Sequence, residues 1–159
     1  MGTKHKAYAI VLTETWLYED ILDAEVKIEG FNIFRSDRKG RNHGGVAVYL
    51  RDDISAIPSL KISIGSVEAL SVKCRDLKAI LHVIYRPPDS EIEGFLEVTK
   101  LMSDDLNMCQ AHGRYPNAIG FGDFNFPNLQ WGAGRIPPPE SAKSLKGIQA
   151  HALLELMRQ

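Results

Sequence analysis

The sequence lacks long apolar runs, a dense cysteine pattern and an excess of charge of one sign. No apolar run approaches the roughly 20 residues of a membrane-spanning helix, and the 159 residues include only two cysteines. Acidic and basic side chains nearly cancel, which leaves a formal net charge of −1. These absences exclude a membrane-embedded protein and a disulfide framework. They also imply that any nucleic-acid partner is held by a local basic patch.

The cysteines and the N-terminus both indicate an intracellular protein. Cys74 and Cys109 lie in apolar segments without CxxC spacing, so we expect buried, reduced thiols and favour these over a disulfide. The apolar segment at residues 7–12 meets Glu14 too soon for a signal peptide. The sequence therefore predicts a nuclear or cytoplasmic protein without a membrane partner.

The composition is that of one globular domain, with 44% hydrophobic and 25% charged residues. Short apolar segments of strand length predict a series of β-strands, at residues 8–13, 31–35, 44–51, 67–75, 78–86 and 117–121. In the segment 67–75, Leu70, Val72 and Cys74 alternate with polar side chains, so we expect that strand to be half exposed.

Helical spacing appears in three places. Residues 17–26, "LYEDILDAEV", predict a short helix. A last amphipathic helix, marked by Leu145, Ile148, Ala152 and Leu156, is expected to run to residue 159. Ser90 and Glu93 have the spacing of a capping box. They precede a helical pattern formed by Ile92, Phe95, Leu96, Thr99, Met102, Leu106 and Cys109.

Polar side chains follow three of the predicted strands, at the point where each strand ends. Glu14 follows the first strand, Tyr85 and Arg86 end another, and Asp123 and Asn125 follow the strand "NAIGF". Oxygen ligands of this kind suit a hard cation such as Mg²⁺. Asp123 could orient a water, and the Asn125 amide could hold a phosphate oxygen. Taken alone, "GDFN" predicts an ordinary turn about as strongly.

Three further features have two interpretations each. The segment "RSDRKGR", with Arg35, Arg38, Lys39 and Arg41, is either a loop that holds the DNA backbone or a solvated hairpin tip. Arg86 is a phosphate contact or, slightly favoured, a charge at the sheet edge. His82 is more simply a packed histidine than a catalytic one.

Four segments occur in an order that is more specific than any of them alone. They are "VLTETWL" with Glu14, "GGVAVYLR", "VIYRPP" with Tyr85, and "GFGDFN" with Asp123 and Asn125. Together they resemble the endonuclease/exonuclease/phosphatase superfamily, and more narrowly the apurinic-type endonuclease domain of non-LTR retrotransposons. The resemblance runs from about Ala9 into the last helix.

The resemblance implies an α/β (α+β) fold, a DNase I-like two-sheet sandwich flanked by helices. It implies hydrolysis of DNA phosphodiesters with Mg²⁺, or Mn²⁺ in its place. By resemblance Glu14 and Asp123 form the metal site, Tyr85 contacts the scissile phosphate, Asp123 positions water and Asn125 binds phosphate. Arg86, Arg38, Lys39 and Arg41 are the further candidates for substrate binding. DNA is the expected partner, and a reverse transcriptase domain in the same parent polypeptide fits this resemblance.

The sequence departs from the family in two respects. The family's early strand with a metal-site Asn has no counterpart, and no histidine follows Ser-Asp as in the family's terminal motif. We therefore expect residues 1–159 to be a single partial domain, incomplete at both ends, with weak or no activity of its own. Two alternatives stay open: a non-catalytic remnant or nucleic-acid-binding module, and a lipid or inositol phosphate phosphodiesterase of the same superfamily.

Overall fold

The computed structural model describes residues 7–40 and 43–125. Within these ranges the chain forms seven strands and one helix. In chain order they are β1 (Ala9–Thr13), β2 (Phe31–Ser36), β3 (Val46–Arg51), β4 (Ala56–Ile64), β5 (Val67–Cys74), β6 (Ala79–Tyr85), α1 (Ile92–Ala111) and β7 (Asn117–Asp123). The last predicted helix, from Leu145 to residue 159, lies outside the described residues.

The strands form two sheets. The first has the order β1-β3-β2 and is antiparallel throughout. The second has the order β4-β5-β6-β7, in which β7 alone runs parallel to its neighbour β6. Helix α1 connects these two parallel strands, because a parallel pair requires a long crossover. The predicted two-sheet α/β architecture is confirmed.

The main core lies between the two sheets, where alternate side chains of the central strands meet. The buried residues that form it come mostly from β3, β5 and β6: Val46, Val48, Leu50, Leu70, Val72, Cys74, Leu81, Val83 and Tyr85. Because successive residues of a strand point to opposite faces, the intervening residues of β5 and β6 face away from the first sheet.

Helix α1 covers that second face. Phe95, Val98 and Met102 pack against Ala69 and Ile84, and Leu106 and Cys109 pack against Ile80. The predicted helix is confirmed, although Leu96 is exposed and Val98 takes its place in the core. Both cysteines are buried, free thiols, as expected.

The expectation that β5 is half exposed is wrong. Ser71 is fully buried under α1, and the Lys73 ammonium lies 2.9 Å from the Asp105 carboxylate of α1. A strand with sheet or helix on both faces loses its exposed side even when its sequence alternates. The polar residues of β5 are therefore satisfied by partners inside the protein.

Three further local predictions differ from the structure. Residues 17–26 form turns and no helix. The capping box is absent, because Glu91 caps α1 without a side-chain hydrogen bond. The sequence patterns also do not indicate β4. Strand β4 contains Pro58, which is tolerated because β4 is an edge strand and its pairing shifts between Pro58 and Leu60. Among the described residues, no helix combines the length and apolar character needed to cross a membrane.

Candidate active site

Three strand ends meet at one end of the two sheets. Glu14 follows the last residue of β1, while Tyr85 and Asp123 are the last residues of β6 and β7. Tyr85 and Asp123 are direct partners in the parallel register, and the Tyr85 hydroxyl donates a hydrogen bond to Glu14 Oε1. The structure thus brings together, around one phenol, two carboxylates that the sequence places far apart.

Glu14 is held in an uncommon backbone conformation. Its φ is 54° and that of Trp16 is 57°, values that persist in non-glycine residues only where the surroundings enforce them. The Trp16 indole N–H donates to Glu14 Oε2 at 2.8 Å, and the Trp16 backbone N–H donates to the Gly44 carbonyl at 2.9 Å. The Glu14 carboxylate is therefore fixed at both oxygens.

The hydrogen bond from Tyr85 is the largest cause that lowers the pKa of Glu14. The bonds from Trp16 and the Gly44 N–H and the charge of Arg38 add to it, and burial opposes them. Burial, and then the bond to Glu14, raises the pKa of Tyr85. At neutral pH the site therefore holds an ionised Glu14 and a protonated Tyr85 that donates.

The segment after β7 is a tight turn. The Asn125 backbone N–H donates to Asp123 Oδ1 at 3.1 Å, and Asn125 has a φ of 50°. The Asn125 amide donates to the Arg86 carbonyl at 2.8 Å, while the Arg86 N–H donates to the Asp123 carbonyl at 2.9 Å. This side-chain-to-backbone bond is of the kind that the turn interpretation of "GDFN" predicts. The register of β7 with β6 sets Asp123 beside Tyr85.

The favoured interpretation of Arg86 as a charge at the sheet edge is wrong. The residue is 2% exposed, and its guanidinium donates to the carbonyl oxygens of Phe124 and Asn125 at 3.2 and 3.3 Å. Burial lowers the pKa of Arg86. A guanidinium has five donors in a fixed fork, so Arg86 holds the turn after β7 from the strand next to it. Its role as a phosphate contact stays a prediction.

The basic segment 35–41, which begins within β2, is mostly engaged inside the protein. Arg35 lies 3.2 Å from both the Asp23 and Asp37 carboxylates, and Arg38 pairs with Glu68. Lys39 is exposed and borders, with Lys61, a cavity of about 1000 Å³. Arg41 lies outside the described residues. The same cavity is also lined by Glu19, Asp20 and Asp37. Binding of DNA by the basic segment stays a prediction.

Two residues of the site were missed by sequence reasoning. Trp16 gave no signal beyond its place in "TETWL". Glu68 did give one, because a carboxylate shares the β5 face of Leu70 and Val72, which is apolar and buried. A charge in such a position requires a partner of opposite sign.

The donor set fits a hard divalent cation. In the part of the chain that the structure describes, no three His, Cys, Asp or Glu side chains come together. Mg²⁺ commonly takes only one or two protein carboxylates and keeps several waters. The ionised Glu14 and the neighbouring Asp123 are therefore suitable ligands for such a cation.

Solved structures with this arrangement of strands exist. The endonuclease domain of TRAS1, a telomere-specific non-LTR retrotransposon, matches with a TM-score of 0.58 and 20% sequence identity over 94% of this chain. The 3′ phosphatase NExo from Neisseria, bound to a product DNA hairpin, matches with a TM-score of 0.58 and 19% identity over 96% of this chain. The chain has the fold of the endonuclease/exonuclease/phosphatase superfamily.

These matches confirm the DNase I-like two-sheet fold that the resemblance predicts. The chain spans 58% of the TRAS1 domain structure and 62% of the NExo structure. No protein-family model matches the sequence, and no curated protein matches it. Fold alone does not determine function, so the residues of the site must indicate what the chain does.

Proposed function

We propose that this chain is part of a Mg²⁺-dependent endonuclease domain that hydrolyses phosphodiester bonds in DNA, with Mn²⁺ as an alternative metal. The contact that carries the proposal is the hydrogen bond from Tyr85 to Glu14 beside Asp123. It combines an ionised carboxylate, a neutral donor and a second carboxylate at the ends of three strands, where α/β folds place their chemistry.

Each residue has a distinct role in this proposal. Glu14 and Asp123 would hold the cation, which when bound supplies positive charge to the phosphate. Asp123 orients the attacking water and accepts its proton. When Glu14 holds the cation, the Tyr85 hydroxyl turns its single proton from Glu14 to a phosphate oxygen. The Asn125 amide donates its second N–H to phosphate, whose negative charge increases as the water attacks.

DNA is the favoured substrate for two reasons. One of the two similar structures is a retrotransposon endonuclease domain, and the other is a 3′ phosphatase bound to a product DNA hairpin. Lys39 and Lys61 border one cavity near the start of the basic segment and offer charge to a phosphate backbone. We further propose that the parent polypeptide carries a reverse transcriptase domain.

Nicking of supercoiled plasmid tests the proposal. We expect robust nicking with Mg²⁺ from a polypeptide extended on both sides along the parent gene, and nicking lower by roughly a hundred- to thousandfold from the 159-residue chain, which has no Ser-Asp-His motif. Asp123→Ala should abolish nicking by the extended polypeptide. Asp104→Ala, an exposed acid on α1, is the matched control and should leave it unchanged.

Three results would each contradict a part of the proposal. Nicking by the extended polypeptide that survives Asp123→Ala would assign the chemistry to other residues. A folded extended polypeptide that binds plasmid and never nicks it, with Mg²⁺ or Mn²⁺, would identify a non-catalytic nucleic-acid-binding module. Robust nicking by the 159-residue chain itself would show that the missing motif is not needed.

A further inference from the structure

We propose that the buried Arg38–Glu68 ion pair is a positioning device that fixes the Tyr85 ring and, through it, the Glu14 carboxylate. The catalytic consequence rests on the proposed function, whereas the mechanical one does not. The pair lies next to the Tyr85 ring, and Arg38 and Glu68 are 30 residues apart in the sequence.

The Arg38 guanidinium is held on several sides. Its Nε and one terminal nitrogen donate to the two oxygens of Glu68, the second at 2.8 Å, and the same nitrogen donates to the Ser66 carbonyl at 2.7 Å. The guanidinium carbon lies 5.6 Å from the centroid of the Tyr85 ring, within the range of a cation–π contact. The Arg38 guanidinium, held by both oxygens of Glu68, thus lies over one face of the Tyr85 ring.

Glu68 of the ion pair and Tyr85 are held by two neighbouring strands, β5 and β6. Glu68 and Tyr85 are direct cross-strand partners in β5 and β6, and directly opposed residues have side chains close together. Arg38 comes from the segment between β2 and β3, which belong to the first sheet. The ion pair therefore connects the two sheets at the end where Glu14, Tyr85 and Asp123 meet.

A second contact leads from Arg38 to Glu14 by way of Gly44. Gly44 has a φ of +93°, and a Cβ there would lie 2.6 Å from the Arg38 guanidinium carbon. The Gly44 carbonyl accepts the Trp16 backbone N–H, and Trp16 holds Glu14 Oε2. Arg38 therefore supports both groups that hold the Glu14 carboxylate, the Tyr85 hydroxyl and the Trp16 indole.

Stability alone is a weak reason for this pair. The Glu68 side chain is 0% exposed and that of Arg38 is 10% exposed. Replacing a buried ion pair with apolar groups of similar volume is often neutral or stabilising, because removing two charges from water is costly. The Arg38–Glu68 pair fixes the position of the Tyr85 ring, which apolar side chains of similar volume would not do.

The strand β5 offers a matched control on its opposite face. Lys73 and Asp105 form a partly buried ion pair there, which joins β5 to α1 on the face turned away from Tyr85. The test pair is Arg38→Met with Glu68→Gln, and the control pair is Lys73→Met with Asp105→Asn. Each double variant replaces a cation by methionine and a carboxylate by its amide.

Two measurements test the inference. In the 159-residue chain, ring resonances of ¹³C-labelled tyrosine should show the Tyr85 ring flipping faster in the Arg38/Glu68 variant and unchanged in the Lys73/Asp105 variant. In the extended polypeptide, kcat for nicking should fall by about tenfold or more with KM within about twofold, since small misplacements of reacting groups affect turnover strongly. The control pair should preserve both constants.

A second variant keeps the test decisive if the double variant does not fold. Arg38→Lys retains the charge but loses the bidentate fork, and it should show the same faster ring motion and a smaller loss of kcat. Unchanged ring motion in folded Arg38/Glu68 and Arg38→Lys variants would overturn the inference, whatever the nicking result. Faster ring motion with unchanged kcat in an active enzyme would overturn its catalytic part. If the wild-type extended polypeptide does not nick DNA, the proposed function fails, and the ring measurement still decides the inference.

Discussion

Three arginines of this chain show how much a single charged residue depends on partners that are distant in sequence. Arg35 contacts two carboxylates, Arg38 is locked to Glu68, and Arg86 donates to main-chain carbonyls. Sequence alone locates these charges in basic or strand-end segments but does not reveal their partners. It was predictable that Glu14, Tyr85 and Asp123 lie close together, because each stands at a strand end and strand ends meet at one edge of a sheet. The partners of the buried arginines were not predictable.

Arg86 provides a prediction at this scale. We expect Arg86→Met to lower the free energy of unfolding by about 2–4 kcal/mol, because it leaves carbonyl oxygens of the turn after β7 without a charged donor. Urea unfolding of the purified chain measures the effect. The exposed Arg75, replaced in the same way, should change stability by no more than about 0.5 kcal/mol. Equal stabilities of the two variants would contradict the role of Arg86.

At the scale of elements, the sequence predicted six of the seven described strands and helix α1 in the right order. It missed β4 because Pro58 normally excludes a strand, and only the position at the sheet edge makes it acceptable. It predicted a helix over 17–26 because the apolar spacing is helical. There, Arg35 donates to the carbonyls of Tyr18 and Ile21, acceptors that a helix would use itself, and the segment folds into turns.

Gly122 determines how closely β7 approaches β6. A Cβ on this residue would overlap the Ile84 carbonyl oxygen, so Gly122→Ala should push the end of β7 away from β6. We expect a loss of about 1–3 kcal/mol in the free energy of unfolding, and faster hydrogen exchange of the Arg86 amide that pairs with the Asp123 carbonyl.

Gly120 is the matched control, since it lies in the same strand and a Cβ there meets nothing within 4 Å. Gly120→Ala should leave the exchange of the Arg86 amide unchanged. Similar exchange rates in both variants would show that the close approach at Gly122 does not set the position of β7.

At the scale of the whole molecule, acid should weaken the packing of α1 on the second sheet. His82 is 4% exposed between them, its Nδ1 lies 2.7 Å from the Ser71 hydroxyl, and the interpretation as a packed histidine is confirmed. Burial lowers its pKa from 6.5 to about 4, with Asp105 of α1 opposing the shift and Lys73 of β5 adding to it. The folded protein therefore keeps His82 neutral over a range in which the unfolded chain protonates it.

The sign of the pH dependence follows from that difference. The stabilisation is complete above the unfolded pKa of 6.5 and is lost as the pH falls toward 4. From pH 7.5 to pH 5 we expect the free energy of unfolding to fall by about 2 kcal/mol on account of His82. Urea unfolding at both pH values measures it, and His82→Met should reduce the difference by that amount. An equal difference in the variant would assign the acid sensitivity to other groups.

The hydrogen bond between Tyr85 and Glu14 also has a consequence for how the protein is made. Its partners are 71 residues apart, and Asp123 follows later still. At a synthesis rate of roughly 5–20 residues per second, Asp123 emerges about 5 to 20 seconds after Glu14. During that interval the nascent chain carries one carboxylate of the site without the other. A ribosome that makes this protein therefore does not complete the candidate site until β7 has joined the second sheet.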